Sequence, residues 1–136
     1  MKLMRKKERR ERNLEGLKVL ICDDSMLARK HLEEYLLKLE CSIFKAKNGQ
    51  EAVNIYKDEM PDIVLMDIVM PIKNGIEALC DIRLINPKAK VIMISSVGTE
   101  TYLKEALKAG AVDFIQKPVE YENLEKILLK YSKGGK

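Results

Sequence analysis

The sequence contains no tryptophan, two phenylalanines and one histidine among its 136 residues. Its interior must therefore be mainly aliphatic, which agrees with a hydrophobic content of 46%. Proline and glycine are also scarce, at four and seven residues, and this excludes a fibrous or low-complexity chain. A chain of this length can bury a core without disulfides or metals, so we expect one main folded domain.

Cysteine and long apolar runs are scarce as well. Cys22, Cys41 and Cys80 have neither an even count nor the spacing of metal ligands, so a disulfide framework or a zinc site is not expected. No apolar run approaches the ~18 residues that would cross a bilayer. The basic N-terminus lacks the apolar segment of a secretory signal. We therefore predict reduced thiols, no membrane span and a cytoplasmic location.

Positive charge is concentrated at the N-terminus. Residues 1–12 contain seven Lys or Arg and two Glu, which leaves 18 basic and 19 acidic residues in the rest of the chain. We predict a basic N-terminal extension (1–16), a main domain (17–132) and a short C-terminal tail (133–136). Because the main domain is not basic, nucleic-acid binding is expected, if anywhere, only through the extension. A solvated extension is the simpler interpretation.

Short apolar runs alternate with longer segments of helical periodicity. This pattern indicates βα units and predicts an α/β fold with a doubly wound, five-stranded parallel sheet. Asn48 and Glu51, spaced like a capping box, predict the start of the second helix. The predicted strands are 18–22, 42–46, 63–66, 91–94 and 112–115, and the predicted helices are 26–39, 49–59, 76–85, a segment around 103–107, and 124–131.

Polar residues follow four of the five predicted strands. They are Asp23 and Asp24 after the first strand, Asp67 after the third, Ser95 and Ser96 after the fourth, and Lys117 with Pro118 after the fifth. In doubly wound sheets the ligand site lies beyond the carboxyl ends of the strands. Taken singly, each residue has an ordinary explanation as a helix cap, a turn residue or a solvated lysine.

Three carboxylates at one edge would repel one another. Two unit charges 4 Å apart cost roughly 4 kcal/mol at an effective dielectric constant of 20. A raised pKa of one carboxyl group would relieve this repulsion. A Mg²⁺ ion that also binds a phosphoryl group explains more, because the serine and the lysine then become partners for phosphate oxygens.

Four motifs carry a resemblance to a known family. VLICDDS with Arg29 five residues after Asp24, DIVLMDIVMPIKNG, VIMISS and AGAVDFIQKP resemble the receiver domain of bacterial two-component response regulators, in its stand-alone chemotaxis-type (CheY-like) form. The resemblance covers about residues 17–131. It implies a flavodoxin-like (CheY-like) fold with strand order 2-1-3-4-5.

The resemblance also implies the roles of the site residues. Asp67 would accept a phosphoryl group from a phosphohistidine on a histidine kinase or a histidine phosphotransfer protein. Mg²⁺, or Mn²⁺ as a substitute, would be held by Asp23, Asp24, Asp67 and the backbone carbonyl of Val69. Ser95 and Lys117 would bind phosphoryl oxygens, and Phe114 occupies the aromatic switch position. The peptide bond before Pro118 is expected to be cis. The kinase would be contacted by Met26, Leu27 and Arg29.

The implied function is that of a signalling protein, not an enzyme beyond its own phosphorylation and dephosphorylation. Phosphorylation would switch binding of a protein target on the fourth and fifth helices, in chemotaxis or flagellar-motor signalling. A phosphoryl carrier in a multistep relay is an alternative. A Mg²⁺-dependent aspartyl phosphohydrolase is disfavoured, because Val69 stands where such enzymes need a second aspartate. Val69 and Val97 also predict slow self-dephosphorylation, since neither can orient a hydrolytic water.

Overall fold

The structure, a computed structural model, describes residues 13–132. Its five strands form one parallel sheet in the order β2-β1-β3-β4-β5, which confirms the predicted fold. Each strand is one of the apolar runs identified in the sequence, and the bounds differ from the predicted ones by at most one residue. The strands are β1 (Lys18–Cys22), β2 (Ser42–Ala46), β3 (Ile63–Asp67), β4 (Val91–Ser95) and β5 (Asp113–Gln116).

In the part of the chain that the structure describes, five helices cover the two faces of the sheet. They are α1 (Met26–Lys38), α2 (Gly49–Glu59), α3 (Gly75–Ile85), α4 (Leu103–Lys108), which follows a 3-10 turn (Glu100–Tyr102), and α5 (Tyr121–Ser132). None of these helices, within residues 13–132, is long and apolar enough to cross a membrane.

The core has two layers, one on each face of the sheet. Successive side chains of a strand point to opposite faces, and β3 is buried along its whole length. Val64 and Met66 pack with α2, α3 and α4, whereas Ile63 and Leu65 pack with α1 and α5. A strand that is covered on both faces reads as a continuous apolar run, which is why β3 was recognisable in the sequence.

Hydrogen-bonding side chains set the starts of three helices. The side chains of Ser25 and Asn48 accept N–H groups of the first turns of α1 and α2. The carboxylate of Glu51 accepts from the N–H of Lys47, so the capping box predicted there is only partly formed. A reciprocal capping box is present at α3, between Asn74 and Glu77.

The last residues of the predicted N-terminal extension pack against the domain. Leu14 is fully buried in the layer of α1 and α5. The N–H of Gly16 donates to the carbonyl of Glu40 at 2.8 Å. The basic segment 1–12 and the tail 133–136 lie outside the described residues, so the predictions made for them stay predictions.

Candidate functional site

The carboxyl ends of the neighbouring strands β1 and β3 bring three aspartates together. Asp23 and Asp24 follow β1, and Asp67 is the last residue of β3. One carboxylate oxygen from each residue lies within 4.8 Å of those of the other two. Asp23 is 2% exposed and Asp67 is 7% exposed, whereas Asp24 is open to solvent. The cluster is therefore buried on one side and accessible on the other.

Asp23 is held on three sides. Its Oδ1 accepts from the N–H of Ser25 at 2.9 Å, and its Oδ2 accepts from Nζ of Lys117 at 2.9 Å. Its backbone carbonyl accepts from Nη1 of Arg29 at 2.7 Å. Arg29, predicted as a kinase contact, thus also ties the first turns of α1 to the end of β1.

Asp67 is compensated less closely than Asp23. Its Oδ1 accepts from the N–H of Ile68 at 3.0 Å and lies 3.8 Å from Nζ of Lys117. Burial raises the pKa of Asp67 to about 6, and the charges of Asp23 and Asp24 also raise it, while Lys117 and the Ile68 N–H act in the opposite direction. A single lysine does not neutralise three carboxylates. Clustered carboxylate oxygens with excess negative charge fit a hard divalent cation such as Mg²⁺ or Mn²⁺.

Lys117 reaches the aspartates from the loop that follows β5. Its N–H donates to the carbonyl of Ser95 at 2.7 Å, and the peptide bond between Lys117 and Pro118 is cis. Burial lowers the pKa of Lys117, but the hydrogen bond to Asp23 and the charges of the aspartates outweigh it, so the pKa is raised overall. The ammonium group therefore stays charged at neutral pH.

The hydroxyl group of Ser95 is buried without a partner. Ser95 ends β4, is fully buried, and its Oγ makes no hydrogen bond within residues 13–132. A buried hydroxyl without a hydrogen bond is unfavourable by about 1–3 kcal/mol. Such an orphaned group beside a charged cluster indicates a ligand that completes it.

The loop after Ser95 is closed by a contact that the sequence did not indicate. The N–H of Ser96 donates to Oγ1 of Thr99 at 2.8 Å, and Oγ1 of Thr99 donates to the carbonyl of Ser96 at 2.9 Å. The spacing of Ser and Thr three residues apart could have signalled this turn. The two bonds hold the β4–α4 loop in one compact conformation.

Gly75 is a second residue that sequence analysis missed. A Cβ atom at Gly75 would lie 2.0 Å from the carbonyl oxygen of Asp67, so any side chain there would displace the backbone of the site. The N–H of Gly75 donates to the carbonyl of Ile68 at 2.8 Å. The only signal in the sequence is the Asn74-Gly75 pair, since both residues suit a turn.

The remaining predicted residues surround the aspartates or lie on β5. The side chains of Val69, Met26 and Leu27 are exposed at the carboxyl edge of the sheet. Phe114 on β5 is 43% exposed and borders a groove of about 530 Å³ between β5 and α5. The structure thus brings Asp23, Asp24, Asp67 and Lys117 together. Phe114 lies apart from them, partly exposed on the edge strand β5.

The fold and the site define a class of domain: a 2-1-3-4-5 parallel sheet with an acidic cluster at its carboxyl edge. Residues 19–129 match the family described as "Response regulator receiver domain", and the chain belongs to this family. Its members act in two-component signalling.

Chemotaxis proteins are prominent among the relatives. The chain is 44% identical to "Chemotaxis protein CheY" of Thermotoga maritima over 119 residues, 87% of this chain and 99% of the relative. It is 48% identical to the protein of the same name from Halobacterium salinarum over 103 residues, 75% and 85% of the two chains. A chain in the crystal structure of the CheX-CheY-BeF3-Mg+2 complex from Borrelia burgdorferi superimposes with a TM-score of 0.80 at 35% identity, covering 88% of this chain and 96% of that chain.

Proposed function

We propose that this chain is a cytoplasmic, chemotaxis-type response regulator that accepts a phosphoryl group on Asp67 from a histidine kinase. The observation that carries the proposal is the cluster itself. The carboxyl group of Asp67 is buried, its pKa is raised to about 6, and Asp23 and Asp24 lie beside it with Lys117 as the cation. The Thermotoga maritima relative, matched over nearly its whole length, supports chemotaxis as the pathway.

Asp67 would act as the nucleophile. The P–N bond of phosphohistidine breaks, an O–P bond to the Asp67 carboxylate forms, and the released histidine nitrogen takes up a proton. Asp23, Asp24, Asp67 and the carbonyl of Val69 would hold Mg²⁺, which supplies neutralisation of the phosphoryl and carboxylate charges. Lys117, whose Nζ is 3.8 Å from Asp67, would donate to a phosphoryl oxygen.

Phosphorylation would then alter a surface some distance from Asp67. The orphaned hydroxyl of Ser95 would gain a phosphoryl oxygen as its partner, and its movement would pull on the loop closed by Ser96 and Thr99. Space vacated by that loop would let Phe114, now half-exposed, turn inward. The surface of α4 and α5 would change, and a protein target would bind or leave there.

Mass measurement tests the phosphoacceptor role directly. The protein is incubated with a small acyl phosphate and Mg²⁺, with Asp67→Asn and a chelator-treated sample as controls. We expect the mass of one phosphoryl group on the unmodified chain and on neither control. An unchanged mass of the unmodified chain, under conditions that label a related receiver domain, contradicts the proposal.

A further inference from the structure

Exposed apolar side chains follow three of the strands whose carboxyl ends border the aspartates. Met26 and Leu27 follow β1, Val69 and Ile72 follow β3, and Val97 follows β4, and all five are exposed. Single exposed apolar residues are common on protein surfaces. Their occurrence after three neighbouring strands around one charged site is typical of a surface that a partner covers. We call these five residues the apolar rim.

Ile72 is the residue of the apolar rim that combines high solvent exposure with an unfavourable backbone conformation. It is 83% exposed and has φ = 70°. A β-branched residue rarely takes this left-handed conformation, because its side chain crowds the backbone. The conformation closes a γ-turn, in which the N–H of Lys73 donates to the carbonyl of Pro71 at 2.7 Å. Ile72 is therefore both strained and unburied, and glycine or asparagine would suit the fold better.

The loop that presents Ile72 is held at both ends. The N–H of Gly49 donates to the carbonyl of Lys73 at 2.9 Å, and the N–H of Gly75 donates to that of Ile68 at 2.8 Å. The backbone of Gly75 also packs against the carbonyl of Asp67, with no room for a Cβ atom. The position of Ile72 relative to Asp67 is thus fixed by backbone contacts. A rigidly presented apolar side chain loses little conformational entropy when a partner binds it.

We propose that Ile72 is an anchor for the protein that delivers the phosphoryl group to Asp67. This inference rests on the proposed phosphoacceptor function. A phosphohistidine can react with Asp67 only if the surface that carries the histidine comes down onto the loops around the site, and Ile72 stands on the loop that begins at Asp67. A small acyl phosphate needs no such contact. The downstream target, in contrast, is expected on α4 and α5.

The test compares two phosphoryl donors with two variants. Ile72→Asn replaces the apolar side chain with a residue that tolerates left-handed φ. Leu84→Asn is the matched control, because Leu84 is 84% exposed but lies on α3 in a helical conformation. The donors are a small acyl phosphate and the histidine kinases encoded in the same genome, each autophosphorylated with ATP. Phosphorylation rates are measured in Mg²⁺, and thermal unfolding is followed in parallel.

Ile72→Asn should slow transfer from the kinase about tenfold, as for a residue central to an interface, and leave the rate with acyl phosphate unchanged. Its unfolding midpoint should rise by about 3 °C, because the strain is relieved. Leu84→Asn should change neither rate.

Four results overturn the inference. The first is an unchanged rate of kinase transfer to Ile72→Asn. The second is an equal loss with both donors, which would make Ile72 a residue that positions the metal-binding loop. The third is an equal loss for Leu84→Asn. The fourth is labelling of the unmodified chain by acyl phosphate but by none of the kinases. If acyl phosphate fails as well, the proposed function itself is wrong.

Discussion

Lys117 forms its close ion pair with Asp23, at 2.9 Å from Nζ to Oδ2, whereas Oδ1 of Asp67 is 3.8 Å from the same Nζ. The lysine therefore compensates the most buried carboxylate of the cluster and only partly that of the proposed phosphoacceptor. Lys117 and a divalent cation act on the same negative charges. Within residues 13–132, Lys117 is the only Lys or Arg side chain that forms an ion pair with the carboxylate of Asp23 or Asp67.

Replacing Lys117 by methionine should make the protein depend more on Mg²⁺ for stability. The buried carboxylate of Asp23 loses a charged hydrogen bond, so the free energy of unfolding without metal should fall by about 2 kcal/mol. Mg²⁺ should restore most of the lost free energy of unfolding, because it neutralises the same carboxylate charges. Denaturant unfolding with and without Mg²⁺ measures both effects, and Lys104→Met, an exposed lysine, is the control. A smaller stabilisation by Mg²⁺ in Lys117→Met than in the unmodified chain would contradict this expectation.

Asp67→Asn should stabilise the metal-free protein at neutral pH. The pKa of Asp67 is raised to about 6 in the folded chain, compared with about 3.9 for an unperturbed aspartate. The folded state thus holds a proton that the unfolded state has lost, so the contribution of Asp67 to stability is fully present below pH ~4 and is lost as pH rises through ~6. The difference corresponds to about 3 kcal/mol at pH 7.5.

Denaturant unfolding of both chains in chelator, between pH 4 and pH 7.5, measures this effect. Asp67→Asn should be more stable at pH 7.5, and its advantage should shrink as the pH falls towards 4. Asp58→Asn removes an exposed carboxylate elsewhere and should show no such trend. A constant difference between Asp67→Asn and the unmodified chain across this pH range would refute the assignment of the raised pKa.

Much of the sheet and the composition of the site could be predicted from the sequence. Strands covered on both faces are continuous apolar runs, and the charged residues of the site follow them directly. The predicted and observed strand bounds differ slightly, because a strand is defined by backbone hydrogen bonds that the types of its side chains do not specify. The predicted fifth strand began at the apolar Val112, whose N–H does donate to the carbonyl of Val91, but the strand itself begins at Asp113.

The loop after β3 could not be predicted in the same way. The Asn74-Gly75 pair is typical of a turn, since both residues suit one. In the structure Asn74 instead caps α3 through its capping box with Glu77, and the left-handed residue is Ile72. Turn chemistry identifies where a chain bends, but the residue that takes positive φ is decided here by long-range contacts, such as that between Gly49 and Lys73. The anchor that we propose was therefore invisible to sequence analysis.

Ser95→Ala should weaken binding of a phosphoryl group without lowering the stability of the unphosphorylated protein. Since Oγ of Ser95 is buried without a hydrogen bond within residues 13–132, its removal should leave the resting stability unchanged or raise it by about 1 kcal/mol. Binding of beryllofluoride with Mg²⁺, a mimic of the phosphoryl group, should weaken about tenfold, because the hydroxyl gains its partner only there. Calorimetry measures the affinity, and Ser96→Ala is the neighbouring control. Equal weakening in both variants would argue against a specific role for Ser95.

The phosphorylated protein should lose its phosphoryl group slowly. Val69 and Val97 follow Asp67 and Ser95 by two residues, and both side chains are exposed at the site. Neither can hold a water molecule for attack on phosphorus, so the half-life without a phosphatase should exceed a few seconds.

Val69→Thr keeps the β-branched shape and adds a hydroxyl group that can orient water, and we expect faster hydrolysis by up to about tenfold. Val69→Ile, equally apolar, should not change the rate. Loss of phosphate is followed after removal of the acyl phosphate. A half-life under a few seconds in the unmodified chain, or equal rates in the two variants, would show that these positions do not control hydrolysis.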